Sequence, residues 1–151
     1  MFFDRDIMLF HQEAEDSTDI ISRIAIRLTE AGIVKRDFGK HVLEREATYP
    51  TGLKTKALGV AIPHTDSKYV NQSQIAFASL KKPISFKDMT DPDKKVEVSL
   101  VFMIAMSKPH DQMTLLSNLM AVFQNENALI KLLQSDDVAE VKQVLKTNNI
   151  E

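Results

Sequence analysis

Val96-Glu97-Val98-Ser99-Leu100-Val101-Phe102-Met103-Ile104-Ala105-Met106 begins as an alternation of apolar and polar residues and turns into an unbroken apolar run. Alternation describes a strand with one wet face. A continuous run of this length, bounded by polar residues, describes a strand covered on both faces. This stretch is therefore expected to be the central strand of the fold. Ser107-Lys108-Pro109 ends it and opens a helix. A doubly covered strand that feeds a helix predicts an α/β class: one domain, a mixed β-sheet flanked by helices on both faces.

The flanking sequence agrees with that class. Upstream, Gln74 to Leu80 reads as another strand, and Pro83 to Lys95 as a turn-rich connection. Gly59-Val60-Ala61-Ile62 reads as a buried strand that stops at Pro63, and Ile7 to His11 as a short first strand. Ser17 is expected to cap a helix in which Ile20, Ile21, Ile24, Ala25 and Leu28 recur at helical spacing, closed by Gly32. A second helix is expected from Asp37 to Glu46, broken by Pro50 and Gly52. Downstream, Met113, Leu116, Leu119, Met120 and Phe123 form one apolar stripe; Met113 reads as core in preference to the alternative, a place in an apolar patch beside His110. Asn125 to Leu133 is a shorter helix. Ser135 is expected to cap a last one, with Val138, Val141, Val144 and Leu145 inward. There is no internal repeat and no linker-like stretch, so a single domain is expected over residues 5–147.

Composition removes several function classes. The chain has 151 residues, 44% hydrophobic and 26% charged, which suits an ordinary compact domain. Nineteen basic residues meet 21 acidic ones, a net charge of −2, with none of the basic excess that nucleic-acid binding needs. No cysteine is present, so disulfides, thiolate metal sites and thiol nucleophiles are excluded. The start, Met1-Phe2-Phe3-Asp4-Arg5-Asp6, lacks the pattern of a signal peptide. The longest apolar run, Leu100 to Met106, is too short to span a membrane. The expectation is a cytoplasmic protein with no direct membrane insertion.

The candidates for chemistry are few. Of the four histidines, His64 directly follows the buried Gly59–Ile62 strand and is held by Pro63. That puts it at a strand's carboxyl edge, where open α/β sheets build their sites. His110 lies in the first turn of the helix after the central strand, so the two rings meet over one edge if their strands are neighbours. A lone histidine at a strand end is nonetheless more often a surface residue than a catalytic one. His41 reads as a solvated helix-face residue, and nothing singles out His11. Arg45-Glu46 reads either as a surface charge pair or as an arginine aimed into the Pro50-Thr51-Gly52 turn. In the second reading Arg45 offers a guanidinium to a phosphate, while Thr51 adds a hydroxyl and Gly52 an unhindered N–H; taken by itself the tripeptide reads as an ordinary turn. His64, Asp66 and His110 form a weak metal-ligand set. No glycine-rich phosphate loop and no nucleophile elbow is present.

Taken together, Arg45-Glu46, Pro50-Thr51-Gly52, Gly59-Val60-Ala61-Ile62-Pro63-His64, and His110 ahead of Leu115, Leu116 and Leu119 resemble a known signature. It is that of the IIA domains of the fructose/mannitol type in the phosphoenolpyruvate-dependent sugar phosphotransferase system. The resemblance covers roughly residues 5–147. The proline before Thr51 looks more like the galactitol branch. The resemblance implies a phosphotransferase component, with a phosphohistidine intermediate at His64, assistance from His110, and Arg45 in the active site. It also implies HPr as phosphoryl donor and a IIB cysteine as acceptor, with a membrane IIC permease reached only through IIB. It implies a mixed sheet flanked by helices, and no metal or other cofactor. A chain without IIB or IIC segments is expected to act as a free-standing component. A regulatory protein of the nitrogen type, sensing phosphorylation state and binding a target, is the alternative.

The chemistry carries its own expectations. One imidazole nitrogen must be a free nucleophile, which requires a fixed tautomer. The Nδ1–H of His64 is therefore expected to donate to a backbone carbonyl and leave Nε2 to attack. A helix N-terminus at His110 adds positive potential for the phosphoryl oxygens. An apolar patch around His64 is expected for docking two partners in turn.

Overall fold

The computed structural model describes residues 1–150. In chain order the elements are β1 (Met8–Gln12), α1 (Ser17–Glu30), α2 (Phe38–Thr48), β2 (Gly52–Lys54) and β3 (Gly59–Ala61). A 3-10 turn at Ser67–Tyr69 follows, then β4 (Gln74–Lys87), β5 (Lys95–Ala105), α3 (Pro109–Phe123), α4 (Glu126–Gln134) and α5 (Val138–Thr147). The strands form one sheet in the order β1-β4-β5-β3-β2. Pairing is parallel for β1 with β4 and for β3 with β5. It is antiparallel for β4 with β5 and for β2 with β3. The sheet is mixed, as the sequence predicts.

β5 lies in the middle, and its apolar run is covered on both sides. Val101, Met103 and Ala105 join Ala76 and Ala78 of β4 in a core with Ile20, Ile21, Ile24 and Leu28 of α1 and Phe38 and Val42 of α2. The alternate residues Leu100, Phe102 and Ile104 face the other way. They join Ile75, Phe77 and residues of α3, α4 and α5, among them Leu119, Leu129 and Leu145. Successive strand residues point to opposite faces, so one unbroken apolar run serves two cores. Phe77, Phe102 and Phe123 continue from β4 through β5 to α3, with centroids 5.4 and 5.7 Å apart. α1 ends as expected at Gly32, whose φ is +73°. Gly32 N–H donates to the Thr29 carbonyl and Ile33 N–H to the Leu28 carbonyl, the paired bonds of a Schellman motif.

Several local expectations are corrected. β4 does not stop at Leu80 but runs on to Lys87. Pro83 sits where the β4–β5 register shifts between Ser79 and Ile84, so it marks a bulge, not a turn. The turn is confined to Asp88–Lys94, where the Thr90 N–H donates to Asp88 Oδ1 at 2.7 Å. β2, three residues long, was not anticipated. Asp16, not Ser17, caps α1, accepting from Asp19 N–H at 2.8 Å. Asp137, not Ser135, caps α5, while Ser135 donates to the Lys131 carbonyl at the end of α4. The stripe of α3 is rotated: Leu115, Leu119, Val122 and Phe123 are buried, whereas Met113 is 73% exposed. Among the described residues, no helix is long and apolar enough to cross a membrane.

Candidate functional site

The strand order places β3 beside β5, and the two run parallel. Their carboxyl ends therefore open on the same edge of the sheet. β3 approaches β5 closely at Gly59, where a Cβ would stand 2.1 Å from the Glu97 carbonyl oxygen. Past β3, Ile104 N–H donates to the Pro63 carbonyl at 3.1 Å, and His64 bridges to Ile104 in parallel fashion. The chain leaves β5 at Ala105 and enters α3 at Pro109, with His110 the second helical residue. The neighbouring of the two strands, left conditional by the sequence, is thus met. His64 and the start of α3 share one sheet edge, and His110 is exposed there.

His64 is half-buried, and its Nδ1 lies 2.8 Å from the Ile62 carbonyl oxygen. A carbonyl only accepts, so Nδ1 carries the proton and Nε2 keeps its lone pair. Burial pushes the imidazole's pKa below its ordinary value. The Ile62 carbonyl opposes that shift, the Arg45 charge reinforces it, and Asp66 opposes it. The balance favours the neutral ring, the form that can act as a nucleophile.

Arg45 stands in the last turn of α2. Its guanidinium carbon lies 5.3 Å from the Tyr49 ring centroid, and its Nε is buried without a hydrogen-bond partner among the described residues. An orphaned, always-charged donor whose field reaches His64 is what a site for an anion requires. Arg45 therefore belongs to the His64 neighbourhood and is not half of a surface pair with Glu46.

Glu46 turns to the Pro50-Thr51-Gly52 segment. Its Oε2 accepts the Thr51 N–H at 2.8 Å and its Oε1 accepts the Thr51 hydroxyl at 2.7 Å. The Thr51 Oγ1 in turn accepts the Ile62 N–H at 3.3 Å. Burial pushes the Glu46 carboxyl up, and both Thr51 bonds oppose that shift. Thr51 is only 4% exposed. This corrects the expectation that Thr51 offers its hydroxyl to a phosphate: both of its donors are engaged by Glu46. Gly52 opens β2 opposite Ala61, so close to β4 that a Cβ would stand 2.6 Å from the Lys87 carbonyl oxygen. Its lack of a side chain serves that approach. Sequence reasoning missed Glu46 as a site-building residue. The available signal was a carboxylate five positions before a threonine, across a proline turn.

The remaining histidines stand elsewhere. His11 pairs with Asp136 at 2.7 Å, and His41 stacks on Tyr69 with centroids 4.0 Å apart. Among the described residues, no three His, Asp or Glu side chains are grouped to hold a metal ion, which includes His64, Asp66 and His110.

Comparison with known proteins places these features in context. Residues 1–148 match the family described as phosphoenolpyruvate-dependent sugar phosphotransferase system, EIIA 2. The transcriptional regulator ManR of Bacillus subtilis is 35% identical over 108 residues, which cover 72% of this chain but 15% of that protein. The galactitol-specific EIIA component of the phosphotransferase system of Escherichia coli K12 is 26% identical over 118 residues, 78% of each chain. A chain in the complex of enzyme IIAMTL and phosphorylated enzyme IIBMTL from Escherichia coli shares the fold. Its TM-score is 0.72 over 93% of this chain and 94% of that one, at 21% identity.

Proposed function

We propose, since the chain belongs to the EIIA 2 family of the phosphoenolpyruvate-dependent sugar phosphotransferase system, that it carries a phosphoryl group on His64 between two protein partners in the cytoplasm. The donor is phospho-HPr and the acceptor is a cysteine of a IIB component that serves a membrane IIC permease. The carrier unit is the domain over residues 5–147. The observation that carries the reading is the 2.8 Å contact from His64 Nδ1 to the Ile62 carbonyl, which leaves Nε2 as the nucleophile at an open sheet edge.

In the first transfer the Nε2 lone pair attacks phosphorus as the donor's N–P bond breaks. In the second, a IIB thiolate attacks phosphorus and returns the electron pair to Nε2. The imidazole needs no proton change, because Nδ1–H stays on Ile62 throughout. Charge on the three equatorial oxygens is stabilised by groups fixed in advance. Arg45 supplies a permanent positive charge, and His110 supplies a donor at the start of α3, where the helix N-terminus adds its own potential. Thr51 and Gly52 act beneath the site. No step calls for a metal or other cofactor.

The test is incubation with phosphoenolpyruvate, enzyme I and HPr. The expected result is one acid-labile phosphate per chain, absent in His64→Ala. Normal labelling of that variant refutes the assignment.

The 35% identity to a transcriptional regulator favours one second reading, a regulatory domain that senses phosphorylation state. Adding IIB components of the galactitol, fructose and mannitol types to the labelled protein separates the two. A carrier loses its label to a IIB cysteine, and a regulatory domain retains it.

A further inference from the structure

We propose that Glu46 is a positioning residue for phosphoryl transfer, holding the His64 tautomer through Thr51 and the backbone of Ile62. The kinetic side of this inference rests on the carrier reading above, and its spectroscopic side does not.

The geometry is a relay of short links. Glu46 takes both donors of Thr51, at 2.8 and 2.7 Å. That leaves the Thr51 hydroxyl one role toward the rest of the chain, as acceptor for the Ile62 N–H at 3.3 Å. Ile62 then presents its carbonyl to His64 Nδ1 at 2.8 Å. The relay is needed because the sheet stops short. The β2–β3 pairing ends at Gly52 opposite Ala61, so the buried Ile62 N–H lies beyond the last paired residue of β3. The Thr51 side chain replaces the missing ladder partner. On the other side, Pro63 has a locked φ, and its carbonyl is held by Ile104 N–H. The Ile62 carbonyl is thus anchored from both directions.

The choice of a carboxylate fits this task. A neutral amide at position 46 has one acceptor oxygen and cannot take both Thr51 donors in this arrangement. A half-buried glutamate has an energetic cost, since burial pushes its carboxyl up. Among the described residues, no Lys, Arg or His forms an ion pair with it. The bonds to Thr51 are what the charge gains there.

The experiment uses the full chain, uniformly labelled with 15N. Long-range proton–nitrogen correlation of the imidazole rings reads the tautomer of His64 directly at neutral pH. Phosphoryl acceptance from phospho-HPr is timed on the same samples. Wild type is expected as the Nδ1–H tautomer alone. Thr51→Val and Glu46→Gln are expected to show a mixture of tautomers. Their rate constants at saturating phospho-HPr should fall about tenfold or more, with KM unchanged. Thr51→Ser, which keeps the hydroxyl, restores both readouts. A folded Thr51→Val or Glu46→Gln with the wild-type tautomer and rate overturns the proposal. If Thr51→Val does not fold, Glu46→Gln decides alone, and an unfolded Glu46→Gln leaves the decision to Thr51→Val. If both unfold, the residues are structural only and the proposal fails. Wild-type protein that takes no phosphate overturns the carrier reading, while the tautomer comparison still judges the relay.

Discussion

Replacing Gly59, the first residue of β3, by alanine tests how that strand is held against β5. The alanine Cβ would stand 2.1 Å from the Glu97 carbonyl oxygen, 2.8 Å from the Glu97 carbonyl carbon and 2.8 Å from Val96 Cγ1. Two of these atoms are backbone of the central strand, so no side chain can swing aside to relieve the clash. Bringing the closest contact to 3.0 Å requires β3 and β5 to part by at least 3.0 − 2.1 = 0.9 Å at this point. A separation of that size breaks the local ladder bond, and β3 matches β5 at only three positions: Gly59–Val98, Val60–Leu100 and Ala61–Val101. Overpacking together with one or two lost bonds costs about 2–4 kcal/mol. In urea the midpoint should fall by about 1–2 M. Gly32→Ala is the matched control. Gly32 has φ +73° with nothing within 4 Å of its would-be Cβ, so alanine pays conformational strain alone, about 1–2 kcal/mol. Both substitutions restrict the unfolded chain equally, so that effect cancels in the comparison. The second readout is functional: Gly59→Ala should slow phosphoryl acceptance by His64, and Gly32→Ala should not. If Gly59→Ala loses no more stability than Gly32→Ala, the close approach does not hold β3, and the reasoning is refuted.

Three further outcomes are expected. The His64 ring should titrate below its ordinary value near 6.5, because burial disfavours the imidazolium. As pH falls through 6.5 the unfolded chain takes the proton first, so this group's contribution to folding stability declines from there down to the folded-state pKa; an NMR titration with its midpoint at or above 6.5 contradicts this. Arg45→Met removes a charge that helps push that pKa down and leaves no broken hydrogen bond at Nε. The His64 midpoint should rise and phosphoryl acceptance should drop by about two orders of magnitude, with stability unchanged or higher; a marked loss of stability on urea unfolding would count against this account. Asp137→Ala should destabilise by about 1 kcal/mol, since its carboxylate caps α5 through Glu140 N–H at 2.9 Å; an unchanged thermal midpoint would mean that the cap contributes nothing.

The parts of the fold that were legible share one property: they depend on signals local to a single element. The Leu100–Met106 run announces a doubly covered strand because burial on both faces removes the need for alternation. Gly32 announces a helix end because the left-handed turn there suits glycine. The failures come where a neighbour in space decides. Pro83 reads as a turn residue, yet the β4–β5 pairing absorbs it in a bulge and Ile84 resumes opposite Val98. Asp16 and Ser17, or Ser135 and Asp137, are chemically equivalent caps on paper. The backbone path selects between them by one or two positions. Met113 fits an apolar stripe at helical spacing, but the core facing α3 takes Leu115, Leu119, Val122 and Phe123 instead.

The site divides along the same line. The position of His64 was legible because a buried strand and a proline fix it locally, and its Nδ1 meets a backbone carbonyl as expected. The roles of Thr51 and Glu46 were not legible, because residue type does not say where a hydroxyl points. A threonine in a proline–glycine turn beside an arginine looks like a phosphate donor. In the fold its proton is taken by Glu46 and its lone pair by the Ile62 N–H. What decides between the two roles is burial. The hydroxyl of a residue that is 4% exposed must find its partners within the chain, and the strand that lacks one is the strand that leads to His64. Among the described residues, Arg45 Nε is buried without such a partner. Of two polar groups joined in one motif, the one at Thr51 is satisfied within the fold, and the other, Arg45 Nε, is the one that the proposed phosphoryl group would meet.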